Sequence, residues 1–374
     1  MIGKYFPPVA GGIEEYVRSL AGMAAGGASV TVLVHSATAK SSVEHIDGYC
    51  LVRKASWMKI GSQPISPGMI VQLLGGRSDL IHLHVPNAFA VVLVLLFRRS
   101  ARVVVTHHAD MLGFGFSGRV AVWLYRRLLA RTSAVTLLSL ANRVLACDIG
   151  AAPVPIAPLP VALDPCRYAA TATVTARAGQ LRAAHAGATA LFVFVGRLVP
   201  YKGVEVLIAA LAETMGLHCL IVGDGPLRTT LQARANRLGL AKRLAFLGAV
   251  GEAEKLAALH AADALVLPSV SVAETFGIVQ VEAQLCGLPV VTTDLPTGVT
   301  DVTRHGETGL VVPPNDPQAL AAALSRLAHD QALRARLGAA GRARALAHYT
   351  PDAVRPALLA LYARALRDRQ GLMR

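Results

Sequence analysis

The sequence predicts an α/β fold of two doubly wound domains, each a parallel sheet covered by helices on both faces. Three observations carry this. Short runs rich in Val and Leu alternate with helical patterns, first as SVTVLVH at 29–35, LIHLHV at 80–85, RVVVTHH at 102–108 and AVTLL at 134–138. The alternation begins again with LFVFVG at 191–196, LIVGDG at 220–225 and ALVLP at 264–268. Strands buried on both faces read as such near-continuous apolar runs. Between the two series lies a Pro-spaced stretch, PVPIAPLPVALDP at 153–165, which reads as a linker in a chain of 374 residues, long enough for two ordinary domains. The expected boundaries are 1–164, 165–350 and a final apolar helix in 351–374.

Composition narrows the class of partner. The five cysteines form no C-x-x-C pair and no zinc-like cluster, so a reducing cytosol with structural thiols is expected. The most apolar run, Ala88 to Phe97, has ten residues, about half of what a membrane-spanning helix needs. The net charge is +14, and residues 1–160 carry 15 basic against 7 acidic side chains. Nothing resembles an RNA-recognition, KH or zinc-finger pattern, which argues against nucleic acid and leaves anionic lipid or a nucleotide diphosphate. Gly118–Thr132 fits both surfaces of this reading. Arg119, Arg126, Arg127 and Arg131 fall with Trp123 within about 140° of a helical wheel, opposite Tyr125, Leu128 and Leu129. The arc is either a solvated basic face or a surface that rests on anionic lipid.

In chain order, the first candidate site is the loop GKYFPPVAGG, where Gly11 and Gly12 open a helix and let its amides approach an anion. Only Met1 and Ile2 precede this loop. A central strand usually has about five residues, so the expectation is an incomplete slot in the sheet and a natural start further upstream. His108 lies at a strand end, where open α/β sheets bind ligands; His82, His84 and His107 read as structural. In the second series Arg197 and Lys202 bracket a Pro-Tyr loop between a strand and a helix started by Gly203, and both read as exposed cations able to hold a diphosphate. Gly223 and Gly225 repeat a strand–Gly–helix turn. The stretch LPSVSVAETFGIVQVEAQLCGLPV at 267–290 then offers Glu274 where loop becomes helix, and Glu282 eight residues on. On one helix the two would lie roughly 12 Å apart along the axis and about 80° apart around it. That separation exceeds the about 5–9.5 Å of a glycosidase carboxylate pair and suits the two ends of one extended ligand.

The residues ETFGIVQVEA followed by GLPVV resemble the donor-binding signature of family 4 retaining glycosyltransferases of the GT-B fold. The resemblance extends to GRLVPYKG at 196–203, THH at 106–108, the glycine loop and HGETGLVVPPND at 305–316. It implies two Rossmann-like domains facing a cleft, with the final helix crossing back to the first domain. It implies a retaining hexosyltransferase that takes a UDP- or GDP-sugar to a glycan or lipid-linked acceptor in cell-surface polysaccharide synthesis. By the same resemblance His108, Glu274, Arg197 and Lys202 are catalytic. The donor site is Gly11, Gly12, Arg197, Lys202, Gly223, Gly225, Glu274, Phe276, Gly277, Ile278, Val279 and Glu282. No D-x-D occurs, so no metal and no other cofactor is expected. The expected location is the cytoplasm, peripheral on the inner face of an anionic membrane. Departures from the pattern are Val161 and Ala162 in the linker and Thr297-Gly298 in place of a Gly pair. The alternatives are a nucleotide-sugar epimerase on the same fold and a catalytically silent sugar-binding partner.

Overall fold

The computed structural model describes residues 1–9, 11–98, 101–110, 115–150, 154–187 and 189–367. It forms two units, one of Met1–Ala162 with the last helix and one of Leu163–Thr350. The first unit contains strands β1 (Val30–His35), β2 (Ser42–Ile46), β3 (Tyr49–Lys54), β4 (Met58–Ile60), β5 (Gln63–Ile65), β6 (Leu80–Val85), β7 (Arg102–His107), β8 (Ala134–Leu137) and β9 (Ile156–Pro158). Its helices are α1 (Gly12–Ala25), α2 (Gly68–Gly75), α3 (Ala88–Phe97) and α4 (Gly115–Leu129), joined by the terminal helix introduced below.

The strand order is β2-β3-β1 on one side and β6-β7-β8-β9 on the other. What joins the two halves is the start of the chain. Ile2 bridges in parallel to Leu33 of β1 and Leu83 of β6. Its N–H donates to His82 O at 2.8 Å and its carbonyl accepts from His84 N at 2.9 Å. Toward β1, Leu33 N donates to Met1 O at 2.9 Å, Gly3 N to Leu33 O at 3.1 Å and His35 N to Lys4 O at 3.0 Å. The expected gap in the sheet is therefore absent. Alternate residues of a strand bond to opposite neighbours, so Met1–Lys4 is long enough to serve both, and Ile2 is buried in the core between them.

The Pro-spaced segment also differs from the expected linker. Pro153 lies outside the described residues, but Ile156–Pro158 is β9, parallel to β8, and Leu159 N donates to Leu137 O at 2.7 Å. Prolines are tolerated there because β9 is an edge strand.

The second unit contains β10 (Leu191–Val195), β11 (His218–Val222), β12 (Leu244–Gly248), β13 (Ala264–Leu267), β14 (Val290–Thr293) and β15 (Gly309–Val312). Its helices are α5 (Ala172–His185), α6 (Val204–Ala212), α7 (Arg228–Arg237), α8 (Glu252–Ala261), α9 (Ile278–Leu285), α10 (Val299–Val302), α11 (Pro317–His329) and α12 (Gln331–His348); α13 (Pro351–Arg367) belongs to the first unit. The sheet is parallel throughout, in the order β12-β11-β10-β13-β14-β15. This is the Rossmann order, with its switch point between β10 and β13. Alternation along β10 supplies both faces of the core: Phe192 and Phe194 enter one apolar cluster, Leu191 and Val193 the other.

Candidate active site

In the second unit, the loops leaving β10 and β13 flank the switch point, where open α/β sheets bind ligands. The β10 loop carries Arg197 and Lys202 and the β13 loop carries Ser269 and Glu274. They are tied together by a bond from Val270 N to Tyr201 O at 2.8 Å. Gly203 lets them approach, because a Cβ there would lie 1.9 Å from Pro268 O and its φ is +65°.

Lys202 Nζ forms an ion pair with Glu274 Oε2, which also accepts from Ser269 Oγ at 2.9 Å. The side chains are 12% and 9% exposed, so Lys202 is not the freely exposed cation expected from the sequence. Arg197 is: it is exposed, and among the described residues its side chain has no ion pair or hydrogen bond. The loop thus offers one free cation beside one already matched by a carboxylate.

Glu274 and Glu282 do not share a helix. Gly277 caps α9 at φ 69°, ψ 65°, and this left-handed residue separates the loop holding Glu274 from the helix holding Glu282. The separation reckoned along a single helix therefore does not apply. Nor is α9 amphipathic with a solvated face, since every residue from Val279 to Leu285 is buried. Gln280 and Gln284 are accommodated by hydrogen bonds, from Gln280 Nε2 to Phe276 O at 2.9 Å and from Gln284 Nε2 to Val302 O at 3.1 Å. Glu282 is buried with one oxygen engaged: Oε1 accepts from Lys255 Nζ at 2.8 Å and from Tyr168 OH at 3.2 Å. Phe276 packs edge-on against Tyr349. Ile278 and Val279 begin α9, where helix amides have no intrahelical acceptor.

Gly223 and Gly225 have a packing reason for being glycine. A Cβ on Gly223 would sit 1.9 Å from Gly196 O, and one on Gly225 would sit 2.5 Å from Leu198 O. Ser269, Tyr168 and Lys255 are the residues the sequence reading missed. Ser269 had a local signal, lying just past a strand end, whereas Tyr168 and Lys255 had none.

In the first unit, His108 follows β7 and is buried. Its Nε2 lies 3.2 Å from His84 Nδ1, and Tyr16 packs edge-on against both rings. Burial lowers the pKa of His108 to about 3 and that of His84 well below the usual range, so both are neutral at neutral pH. Among the described residues, His84 Nε2 is buried without a partner. An orphaned acceptor is tolerated better than an orphaned N–H, which assigns the His84 proton to Nδ1. It then donates to His108 Nε2 and leaves His108 with its own proton on Nδ1. His82 bonds Tyr362 OH and Thr106 Oγ1, both at 2.7 Å, and His107 bonds Tyr125 OH at 3.2 Å and Asp110 at 3.0 Å. At the start of α1 the positive helix end is met by the chain's own Glu14, whose carboxylate lies where a Cβ of Gly11 would be. Gly11 therefore faces a carboxylate of the chain itself where the sequence suggests an anion site.

Two Rossmann-like units, the second with cations and a carboxylate at its switch point, fit the GT-B class of nucleotide-sugar enzymes. Two families match the chain: "Glycosyl transferase 4-like domain" over residues 11–162 and "Glycosyl transferases group 1" over residues 182–344. The chain belongs to the group 1, family 4 glycosyltransferases, and this decides for glycosyl transfer over epimerisation. It is 32% identical to a phosphatidyl-myo-inositol mannosyltransferase of Mycobacterium leprae over 97% of this chain and 95% of the relative. It is 30% identical to a D-rhamnosyltransferase of Pseudomonas aeruginosa over 86% of this chain and 83% of that one. A similar solved fold is sucrose-phosphate synthase of Thermosynechococcus elongatus, with TM-score 0.81 at 23% identity over 98% of both chains. Another is Anabaena HepE in complex with UDP-glucose, with TM-score 0.76 at 21% identity over 97% of this chain and 98% of that one.

Proposed function

We propose that this enzyme transfers a hexose, with retention, from a nucleotide diphosphate sugar to a glycan or lipid-linked acceptor. The product would be a cell-surface polysaccharide or glycolipid made at the cytoplasmic face of an anionic membrane. The observation that carries this reading is the free Arg197 beside the Lys202–Glu274 pair at the Rossmann switch point. A departing diphosphate needs fixed positive charge where its own charge develops. Arg197 supplies it directly, and Lys202 supplies it by exchanging part of its contact with Glu274 for phosphate oxygens. Glu274, released in turn, accepts from a sugar hydroxyl. The unengaged oxygen of Glu282 accepts from the ribose, and the first amides of α9, at Ile278 and Val279, face the negative part of the donor. His108, neutral with its proton on Nδ1, donates to the sugar and does not act as a cation. The relatives support this reading: they include mannosyl- and rhamnosyltransferases, one of them GDP-mannose-dependent.

Metal independence is part of the proposal, because two side-chain cations do the neutralising. The purified chain is incubated with a panel of UDP- and GDP-hexoses, an acceptor glycan and a chelator, and nucleoside diphosphate release and the anomeric configuration of the product are followed. Transfer with retention in the chelator is expected. Inversion, or loss of turnover on chelation that Mg²⁺ or Mn²⁺ restores, would overturn it.

A further inference from the structure

The proposed lipid-linked acceptor requires a surface that meets lipid, and the basic arc of α4 is a poor candidate. Arg126 donates to Asp148 O at 3.2 Å and Cys147 O at 3.1 Å, and Arg131, beyond the helix end, donates to Leu95 O at 3.5 Å. Arg127 lies over Trp123, 4.7 Å from the ring centre. These guanidinium groups are already engaged by the fold.

A different segment combines exposed apolar side chains with an excess of positive charge. Five of the sixteen large apolar side chains exposed among the described residues fall between Trp57 and Leu74. Trp57, 78% exposed, leads into the hairpin β4–β5, in which Met58 pairs with Ile65 and Ile60 with Gln63. Residues two apart on a strand share a face, so Met58 and Ile60 point the same way, at 56% and 59% exposure. The hairpin leads through Ser66 and Pro67 straight into α2. That helix buries Met69 and Leu73 and turns Val71 and Leu74, at 72% and 63% exposure, to solvent. From Gly48 to Ser78 the sequence holds Arg53, Lys54, Lys59 and Arg77 and no acidic residue. Arg53 is paired with Glu44 and Lys59 lies over Tyr5, 6.0 Å from the ring centre, while Lys54, Lys59 and Arg77 have no ion pair among the described residues.

We infer that Trp57 and the β4–β5 hairpin, with the outer face of α2, form the surface by which this enzyme rests on an anionic bilayer. Trp57, Met58 and Ile60 enter the boundary between headgroups and acyl chains, and Lys54 and Lys59 meet lipid phosphates. The charge decides the occupant: Lys54, Lys59 and Arg77, three cations with no carboxylate partner among the described residues, complement an anionic surface, and the apolar side chains add what charge alone does not, a hold that survives moderate salt. The inference rests on the reading of the acceptor as lipid-linked.

The chain's two tryptophans make the test. Trp123→Phe leaves Trp57 as the reporter on the hairpin, and Trp57→Phe leaves Trp123 as the reporter on α4. Each full-length variant is titrated with vesicles of equimolar phosphatidylglycerol and phosphatidylcholine, and with phosphatidylcholine alone, carrying brominated acyl chains. The expected result is a blue shift and quenching of Trp57 on the anionic vesicles, with Trp123 unchanged. Met58→Ser with Ile60→Ser should lower vesicle affinity roughly 30-fold, and Lys59→Ala about 5-fold at low salt. All three side chains are exposed, so folding should be preserved. Quenching of Trp123 alone, or of neither, overturns the inference. So does a vesicle-independent blue shift of Trp57 that grows with protein concentration, which would identify a second copy as the occupant. Transfer to a water-soluble acceptor, assayed without vesicles, reports separately on the proposed reaction.

Discussion

Lys202 and Glu274, 72 residues apart in sequence, form a nearly buried ion pair at the mouth of the second Rossmann sheet, with Ser269 Oγ donating to the same carboxylate oxygen. Removing one member of such a pair strands the other. Lys202→Ala is therefore expected to lower stability by about 3–5 kcal/mol as well as turnover by about 10²–10³. Lys202→Ala with Glu274→Gln should recover most of the stability and none of the turnover. Arg197→Ala, at an exposed and unpaired side chain, should show the turnover loss with an unchanged urea midpoint. Additive stability changes for the Lys202 and Glu274 substitutions would show that the pair is not coupled.

The histidine pair of the first unit makes a second prediction, independent of activity. With His84 donating from Nδ1 to His108 Nε2, long-range ¹H–¹⁵N spectra at pH 7 should show both rings neutral and both as the Nδ1–H form. An Nε2–H signal from His108 would reverse the assigned direction of the bond. His84→Leu should leave His108 free to adopt the other tautomer and so lower kcat more than it raises the donor KM.

Acid sensitivity follows from the same burial. Desolvation lowers His35 to about 4, His82 and His108 to about 3, and His84 well below its usual range, all in the first unit. Between about pH 6.5 and these values the unfolded chain holds protons that the native one does not, so stability is complete above about 6.5 and falls as pH falls. Four histidines give a slope of up to roughly 5 kcal/mol per pH unit, continuing until the native groups themselves protonate. Hydrogen exchange at stepwise lower pH should show residues 1–162 losing protection before residues 163–350. Loss in the opposite order would mean that the buried imidazoles do not set the acid limit.

What was legible in the sequence was local. Val- and Leu-rich strands announce a parallel sheet wherever they fall, and the Gly196, Arg197 and Lys202 spacing puts cations at a strand end because strand, turn and helix are contiguous there. The strand formed by Met1–Lys4 was not legible, since two to four residues show no periodicity and its neighbours lie some thirty and eighty residues away. The burial of Lys202 was equally invisible, because its partner arrives from another loop. The Gly277 turn was misread for a different reason: a glycine at a helix start signals a cap, but not that the residues before it leave the helix axis.

Glu282 shows how a distant contact sets a chemical role. Its Oε1 is engaged by Tyr168, 114 residues away, and by Lys255, 27 residues away, which fixes the carboxylate and leaves Oε2 as the acceptor for the donor ribose. A hydrogen bond to a charged acceptor contributes about 1.5–3 kcal/mol, so Glu282→Gln should raise the donor KM roughly 10- to 100-fold with a smaller change in kcat and none in the acceptor KM. Tyr168→Phe, which loosens the carboxylate without removing it, should raise the donor KM by a smaller factor in the same direction. The discriminating measurement is a donor series: nucleoside diphosphate binding by calorimetry should weaken in Glu282→Gln, while its 2′,3′-dideoxy analogue should bind both chains alike. If the analogue still separates wild type from Glu282→Gln, the carboxylate is acting on some other part of the donor.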